Sequence, residues 1–262
     1  MHLRYLSIGI VLLSSFASAG AEEPKPLRVL IITGGCCHDY DRQGRILAHG
    51  ISERCNAKCT VLQEMDTSVA AKIPLYESAD WAKGYDVVIH DECYSDVKET
   101  EWLEKILKPH KNGVPAVMLH CAMHCYRVPN DDWFKFAGIT SPGHGKHYAF
   151  EVKNLKPEHP IMKGFGDKWQ TPKEELYYCD KVWPTATPLA EAFSTDRNAN
   201  QTCIWTNQYG DTRVFGTTLG HYNETVVSPQ YLDLVTRGLL WTCKKLDDDG
   251  KPMAGYEPKK QQ

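Results

Sequence analysis

The run Pro115 to Arg127, PAVMLHCAMHCYR, ends an apolar stretch in His120, Cys121, His124 and Cys125. Imidazole and thiolate are the side chains that bind transition metals and attack carbonyl carbon. Three other apolar runs end in comparable groups. Leu27–Thr33 leads to Cys36, Cys37, His38 and Asp39, and Tyr85–Ile89 leads to His90, Asp91 and Glu92. The run ending Thr217-Thr218-Leu219-Gly220 leads to His221, Tyr222, Asn223 and Glu224. Eleven histidines scattered at random would rarely place one after each of four such runs.

Two chemistries fit these residues. In a metal centre, His120 and His124 share a face if the turn between them is α-helical, and His38 or His221 adds a third imidazole. Zinc is the ion such a set favours, with one position left for water or a substrate oxygen. In nucleophilic catalysis, Cys121 stands at a strand-to-helix turn, His221 is its base and Glu224 orients the base. The bulky Leu119 and Met123, two positions either side of Cys121, argue against so tight a turn. A plain reading stands beside both, because cysteine often packs as a small hydrophobe and a buried histidine is often only hydrogen-bonded.

The elements that carry these residues read as strands alternating with helices. Apolar runs at 27–33, 59–62, 85–90 and 116–119 are of strand length, and amphipathic patterns at 41–54 and 100–108 separate them. Such alternation predicts a doubly wound, mostly parallel α/β sheet with helices on both faces. Ligands of such sheets bind beyond the carboxyl ends of the strands. In the second half, residues 133–139 read as helical. Short strands are expected at 147–152, 189–193, 203–206 and 213–218, with a hairpin turn over 207–211 and a closing helix over 231–243.

Residues 1–21 have the form of a signal peptide: Arg4, an apolar Leu6–Leu13, and cleavage near Ala19 or Ala21. The expectation is a periplasmic or secreted protein without a membrane span. One α/β domain would cover residues 22–246, followed by a polar, frayed tail over 247–262. The net charge of −3 and the lack of basic blocks argue against nucleic-acid binding. All ten cysteines follow the leader, so disulfides are expected, with Cys55–Cys59 and Cys179–Cys203 among the plausible pairs. Glu174 and Glu175 fit an exposed acidic loop as well as a sugar-binding segment.

Several pieces in order resemble the ThuA-like (trehalose-utilisation) family. They are Thr33-Gly34-Gly35 with His38-Asp39, Leu119-His120, His159-Pro160-Ile161 with Gly164, Glu175-Leu176-Tyr177, Gly220-His221, and Arg237-Gly238-Leu239-Leu240-Trp241. The resemblance implies a class I glutamine amidotransferase-like, flavodoxin-like fold. It implies a role around trehalose-like disaccharides and their 3-keto derivatives, and loss of the amidotransferase triad, which weakens the case for Cys121. His38, Asp39, His120, Glu175 and His221 match the family pattern. Cys36, Cys37, Cys121, His124 and Cys125 are features of a narrower branch.

The expected activity is metal-assisted cleavage, by elimination or hydration, of an oxidised (3-keto) glycoside. His38, His120 and His124 would hold the metal, and His221, Glu92 or Glu175 would be the base. Asp39, Tyr40, Tyr126, His144 and Tyr222 would surround the sugar. The alternatives are a non-catalytic carbohydrate-binding module and, third, a Cys121-dependent hydrolase or amidotransferase.

Overall fold

The computed structural model describes residues 24–259; the leader expected over 1–21 lies outside the described residues. The first half comprises β1 (Leu27–Gly35), α1 (Tyr40–Arg54), β2 (Ala57–Glu64), β3 (Val87–Cys93), α2 (Thr100–Lys111) and β4 (Ala116–Leu119). After α3 (Asp132–Ala137) come six short strands: β5 (Ile139–Thr140), β6 (His144–Tyr148), β7 (Glu151–Asn154), β8 (Lys168–Gln170), β9 (Glu174–Tyr177) and β10 (Lys181–Val182). The chain closes with β11 (Ala186–Ser194), β12 (Ala199–Tyr209), β13 (Thr212–Thr217), α4 (Asn223–Val226) and α5 (Pro229–Thr242).

Nine strands form one sheet in the order β2-β1-β3-β4-β13-β12-β11-β7-β8. The five from β2 to β13 run parallel, and the rest are antiparallel. This is the α/β architecture expected, with an antiparallel extension built from the second half. The register sorts the apolar runs into two layers. Val29, Ile31, Val87, Ile89, Val117 and Leu119 face Leu47, Ile51, Leu232, Val235 and Leu239 of α1 and α5. Their alternates Leu30, Ile32, Val88, Ala116 and Met118 face Trp102, Ile106, Leu107, Trp133 and Phe136 of α2 and α3. Burial on both faces is why these strands read as continuous hydrophobic runs.

Several boundaries differ from the sequence expectation, and three of the differences have a clear local reason. The strand expected over 147–152 is divided, because β6 pairs with β9 while β7 pairs with β8 and β11. α2 passes through Pro109 to Lys111. The carbonyl four residues before that proline, Lys105 O, loses its helical partner and accepts instead from Trp81 Nε1–H at 3.0 Å. The described part of the tail expected to fray is docked at Gly255 and Tyr256: Asn56 N–H donates to Tyr256 O at 2.9 Å, and Asn56 Nδ2 to Gly255 O at 2.9 Å.

Beneath the α2 face lies a buried polar chain. Glu92 Oε1 accepts from Tyr76 Oη at 3.0 Å and Tyr126 Oη at 3.1 Å, and lies 2.9 Å from His90 Nδ1. His90 Nε2 meets His110 Nε2 at 3.1 Å, and His110 Nδ1–H donates to Val114 O at 2.8 Å. Burial, reinforced by the neighbouring His90, pushes the His110 pKa down to about 3. An unfolded histidine takes up its proton near pH 6.5, whereas the folded His110 refuses it until pH falls to about 3. This stability is therefore complete above about pH 6.5 and drains away as pH drops through that window, at ~1.4 kcal/mol per pH unit. Urea midpoints at pH 7, 5 and 4 should fall more gently in His110→Gln than in wild type; identical slopes would show that His110 titrates normally.

Candidate metal centre

The parallel order sets the ends of β1, β3, β4 and β13 side by side, and the functional groups gather at that edge. β1 ends in Gly34 and Gly35 at φ 140° and 103°. A Cβ on Gly35 would stand 2.4 Å from Cys93 O, so only glycine lets the chain turn there toward His38. Asp39 then caps α1, accepting from Arg42 N–H at 3.4 Å. β4 is followed directly by His120, which takes the left-handed conformation at φ 48°, a cost of about 1–2 kcal/mol for a non-glycine residue. The sharp turn is thus at His120, one residue before the cysteine weighed as nucleophile.

Beyond β13, Gly220 at φ 123° passes under the Tyr231 hydroxyl. The Glu174 carboxylate holds this loop, accepting from His221 N–H at 2.9 Å and Gly220 N–H at 3.3 Å. Glu174 and Glu175 are not an exposed loop: both are buried in β9, which pairs antiparallel with β6 so that His147 stands opposite Glu175 and His144 opposite Tyr177.

Nε2 of His38 lies 2.9 Å from Nε2 of His120. Glu175 Oε2 is 3.2 Å from His120 Nε2 and 3.1 Å from His221 Nδ1. Among the described residues, ligand atoms of His38, His120, Glu175 and His221 all fall within 4.8 Å of one another. His120 Nδ1–H donates to Thr218 O at 2.7 Å, which leaves Nε2 the accepting nitrogen of the neutral ring, with the Tyr177 hydroxyl 3.3 Å away. His38 Nδ1 has two partners, Cys36 O at 3.2 Å and the Tyr40 hydroxyl at 2.9 Å, and its Nε2 faces that of His120. His221 Nδ1 is near Glu175 but without hydrogen-bond geometry, and is otherwise unpartnered. Crowded lone pairs repel unless a cation or proton lies among them, and N₃O is a donor set that suits zinc and its neighbours. These four residues therefore fit a metal ion.

The electrostatics divide the rings. Burial, then His120 and His221, pushes the His38 pKa down to about 2, leaving it a neutral ligand. Burial acts against a charge on His120, but the Glu175 hydrogen bond and the Glu174 and Glu175 charges outweigh it and raise its pKa. Burial likewise opposes ionisation of Glu175, yet His120 and His221 hold it well below the usual carboxylate range.

His124, expected beside His120 in the metal set, lies outside it. Residues His120–His124 form a 3₁₀ turn, in which positions four apart diverge by about 120°. The His124 ring stacks on Tyr177 with centroids 4.8 Å apart, its Nε2 is 3.0 Å from Cys121 Sγ, and burial pushes its pKa down to about 3. Cys121 is bonded to Cys93, and Cys36 to Cys37. With its sulfur in a disulfide, Cys121 offers no thiolate, which removes the cysteine hydrolase and amidotransferase reading. Cys55, Cys59, Cys179 and Cys203 are free thiols, so the expected pairs Cys55–Cys59 and Cys179–Cys203 do not form.

Of the other sequence candidates, Glu92 and Tyr126 are fully buried in the polar chain beneath α2 and reach no open surface. Tyr40 is buried behind His38, its hydroxyl 2.9 Å from Nδ1. Asp39 and Tyr222, with His38 and His221, line an open depression of about 560 Å³, and His144 borders a second, of about 200 Å³, with Glu175 and Tyr177. Both depressions reach the four-donor group. A third hollow, about 720 Å³, lies at the opposite ends of the parallel strands around Arg28 and Asp86, away from these four donors. The sequence offers Glu174 only within a possible sugar-binding segment and His147 only beside His144 in a loop; the β6–β9 pairing brings both to the site.

A family model described as trehalose utilisation, ThuA, matches residues 28–242. The chain belongs to the ThuA family. Among solved structures, a ThuA-like protein from Parabacteroides merdae superposes with a TM-score of 0.66 at 19% identity, covering 90% of this chain and 98% of its own. A second ThuA-like protein, from Bacteroides uniformis, gives 0.62 at 16% identity with 90% and 98% covered. A protein described as a GMP synthase component, from Thermoplasma acidophilum, gives 0.55 at 12%, with 84% and 96% covered, which ties the ThuA sheet to the glutamine amidotransferase-like fold. No curated protein matches the chain. No helix among the described residues is long and apolar enough to cross a membrane.

Proposed function

We propose that this ThuA protein is an exported, metal-dependent enzyme that cleaves oxidised, 3-keto glycosides by elimination or hydration. The observation that carries the reading is the convergence of three imidazoles and one carboxylate, from His38, His120, His221 and Glu175, with ligand atoms within 4.8 Å of one another. A divalent ion there, zinc by donor chemistry, would supply Lewis acidity toward a ketone oxygen. The sugar would lie in the depression along Asp39 and Tyr222, with the His144 side open to the rest of the glycoside. Of the bases named from sequence, Glu92 is remote, and Glu175 and His221 are committed as donors. Asp39 and Glu224, the carboxylates that line the depression, are left to move the proton acidified by the neighbouring ketone. The family description, trehalose utilisation, supports a sugar substrate, and the signal-like residues 1–21 support export.

The test is elemental analysis of the purified protein together with turnover of 3-keto-glycosides by wild type and His120→Ala. Stoichiometric metal, and turnover lost with His120, is the expected result. Absent metal with turnover intact in the variant would overturn it. Glycoside binding by calorimetry without any product would favour the carbohydrate-binding module instead.

A further inference from the structure

Glu175 has two oxygens, and the four-donor group uses only one. Oε2 faces His120 and His221, whereas Oε1 faces outward, 2.6 Å from His147 Nε2 and 3.4 Å from His144 Nε2. Ligand atoms of His144, His147 and Glu175 again fall within 4.8 Å of one another. The outer pair repeats the preparation of the inner set. His144 Nδ1–H donates to Gly145 O at 2.9 Å, which leaves Nε2 as the bare nitrogen of the neutral ring. His147 Nδ1 pairs with the Tyr222 hydroxyl at 2.8 Å, and its Nε2 faces the carboxylate at 2.6 Å. Second-atom hydrogen bonds of this kind are how proteins orient imidazole ligands.

From this geometry we infer that the site holds two metal ions, the second bound by His144 and His147 with Glu175 bridging between it and the first. The inference rests on the metal reading of the four-donor group. Glu175 meets four imidazoles at 2.6–3.4 Å, two on each carboxylate oxygen. A bridging carboxylate uses both oxygens, each toward its own ion, as two-metal hydrolytic centres with ions about 3.5–4 Å apart do. The outer set has two imidazoles and one carboxylate and is partly exposed, with side chains about a third accessible for His144 and His147. It is the open, weaker position of the pair, the one that exchanges ligands with solvent and substrate. Both outer histidines come from β6, a strand outside the nine-stranded sheet, so this position depends on a separate piece of the fold.

The test loads metal-free protein with zinc, dialyses it and counts zinc per chain in wild type, His144→Ala/His147→Ala and His120→Ala. The expected counts are about two in wild type and about one in the double variant, with His120→Ala losing the inner ion. One zinc in both wild type and the double variant would overturn the second position while leaving the inner centre standing; none in wild type would remove both. As a reading independent of variant folding, wild type loaded with manganese should give an exchange-coupled electron paramagnetic resonance spectrum. Isolated-ion spectra at full loading would count against the bridge.

Discussion

Replacing Glu175 by glutamine is expected to strip the site of metal and activity while the fold survives. Glu175 is the one carboxylate in contact with His120, His144, His147 and His221, at 2.6–3.4 Å. The amide has almost the same shape, so packing in β9 is kept, but no negative charge remains to offset a divalent ion held by neutral imidazoles. Losing a partner that only orients a ligand already costs 10–100-fold in affinity, and losing the charge itself should cost more. Zinc retained after dialysis should fall below a tenth of the wild-type level, and turnover of the glycoside by about 10³-fold. The urea midpoint of metal-free protein should move little, because the five rings lose no apolar contact. A glutamine variant that keeps its metal would show that the carboxylate serves only as a hydrogen-bond partner.

The second large effect is on stability, at a residue the sequence offered as a catalytic base. Glu92→Leu should destabilise the protein by about 3–5 kcal/mol, read from urea unfolding. The leucine fills the space but leaves the hydroxyls of Tyr76 and Tyr126 and the His90 Nδ1 group without their shared acceptor. Each buried donor stripped of its partner costs about 1–3 kcal/mol. Glu92→Gln retains an acceptor oxygen and should lose roughly half as much. Because Glu92 reaches no open surface, the glutamine variant should turn over substrate within a few-fold of wild type. A collapse of kcat at undiminished stability would return Glu92 to the candidate bases.

The parallel half of the fold was readable because strands buried on both faces leave continuous apolar runs with glycine or polar residues at their ends. All four inner donors could be picked out by type, yet two roles shifted for reasons no residue pattern carries. His124 departs from His120 because the turn winds as 3₁₀, and spacing cannot distinguish that from an α-turn. Glu92 looked like a loop residue because the apolar run stops at Ile89, whereas β3 continues through Cys93, which makes Glu92 strand interior. The burial of Glu174 and Glu175 leaves no sequence signature, because β9 is only four residues long and buried throughout, with no alternation to detect. The pairing of β6 with β9 is non-local and brings His144 and His147 to a carboxylate far along the chain.

The four inner donors come from four different places: the turn after β1, the end of β4, the middle of β9 and the loop after β13. No autonomous fragment of the chain contains the set. A chain cut or stalled anywhere before His221 holds at most an incomplete cage, and one that has folded its parallel half but not joined β6 to β9 lacks the only negative charge in it. On the proposed metal reading, tight metal would be acquired last, after translation and assembly are complete, and its presence would certify a finished molecule. In a chain that folds after export, as proposed, that order would keep partially folded molecules from sequestering ions they cannot use.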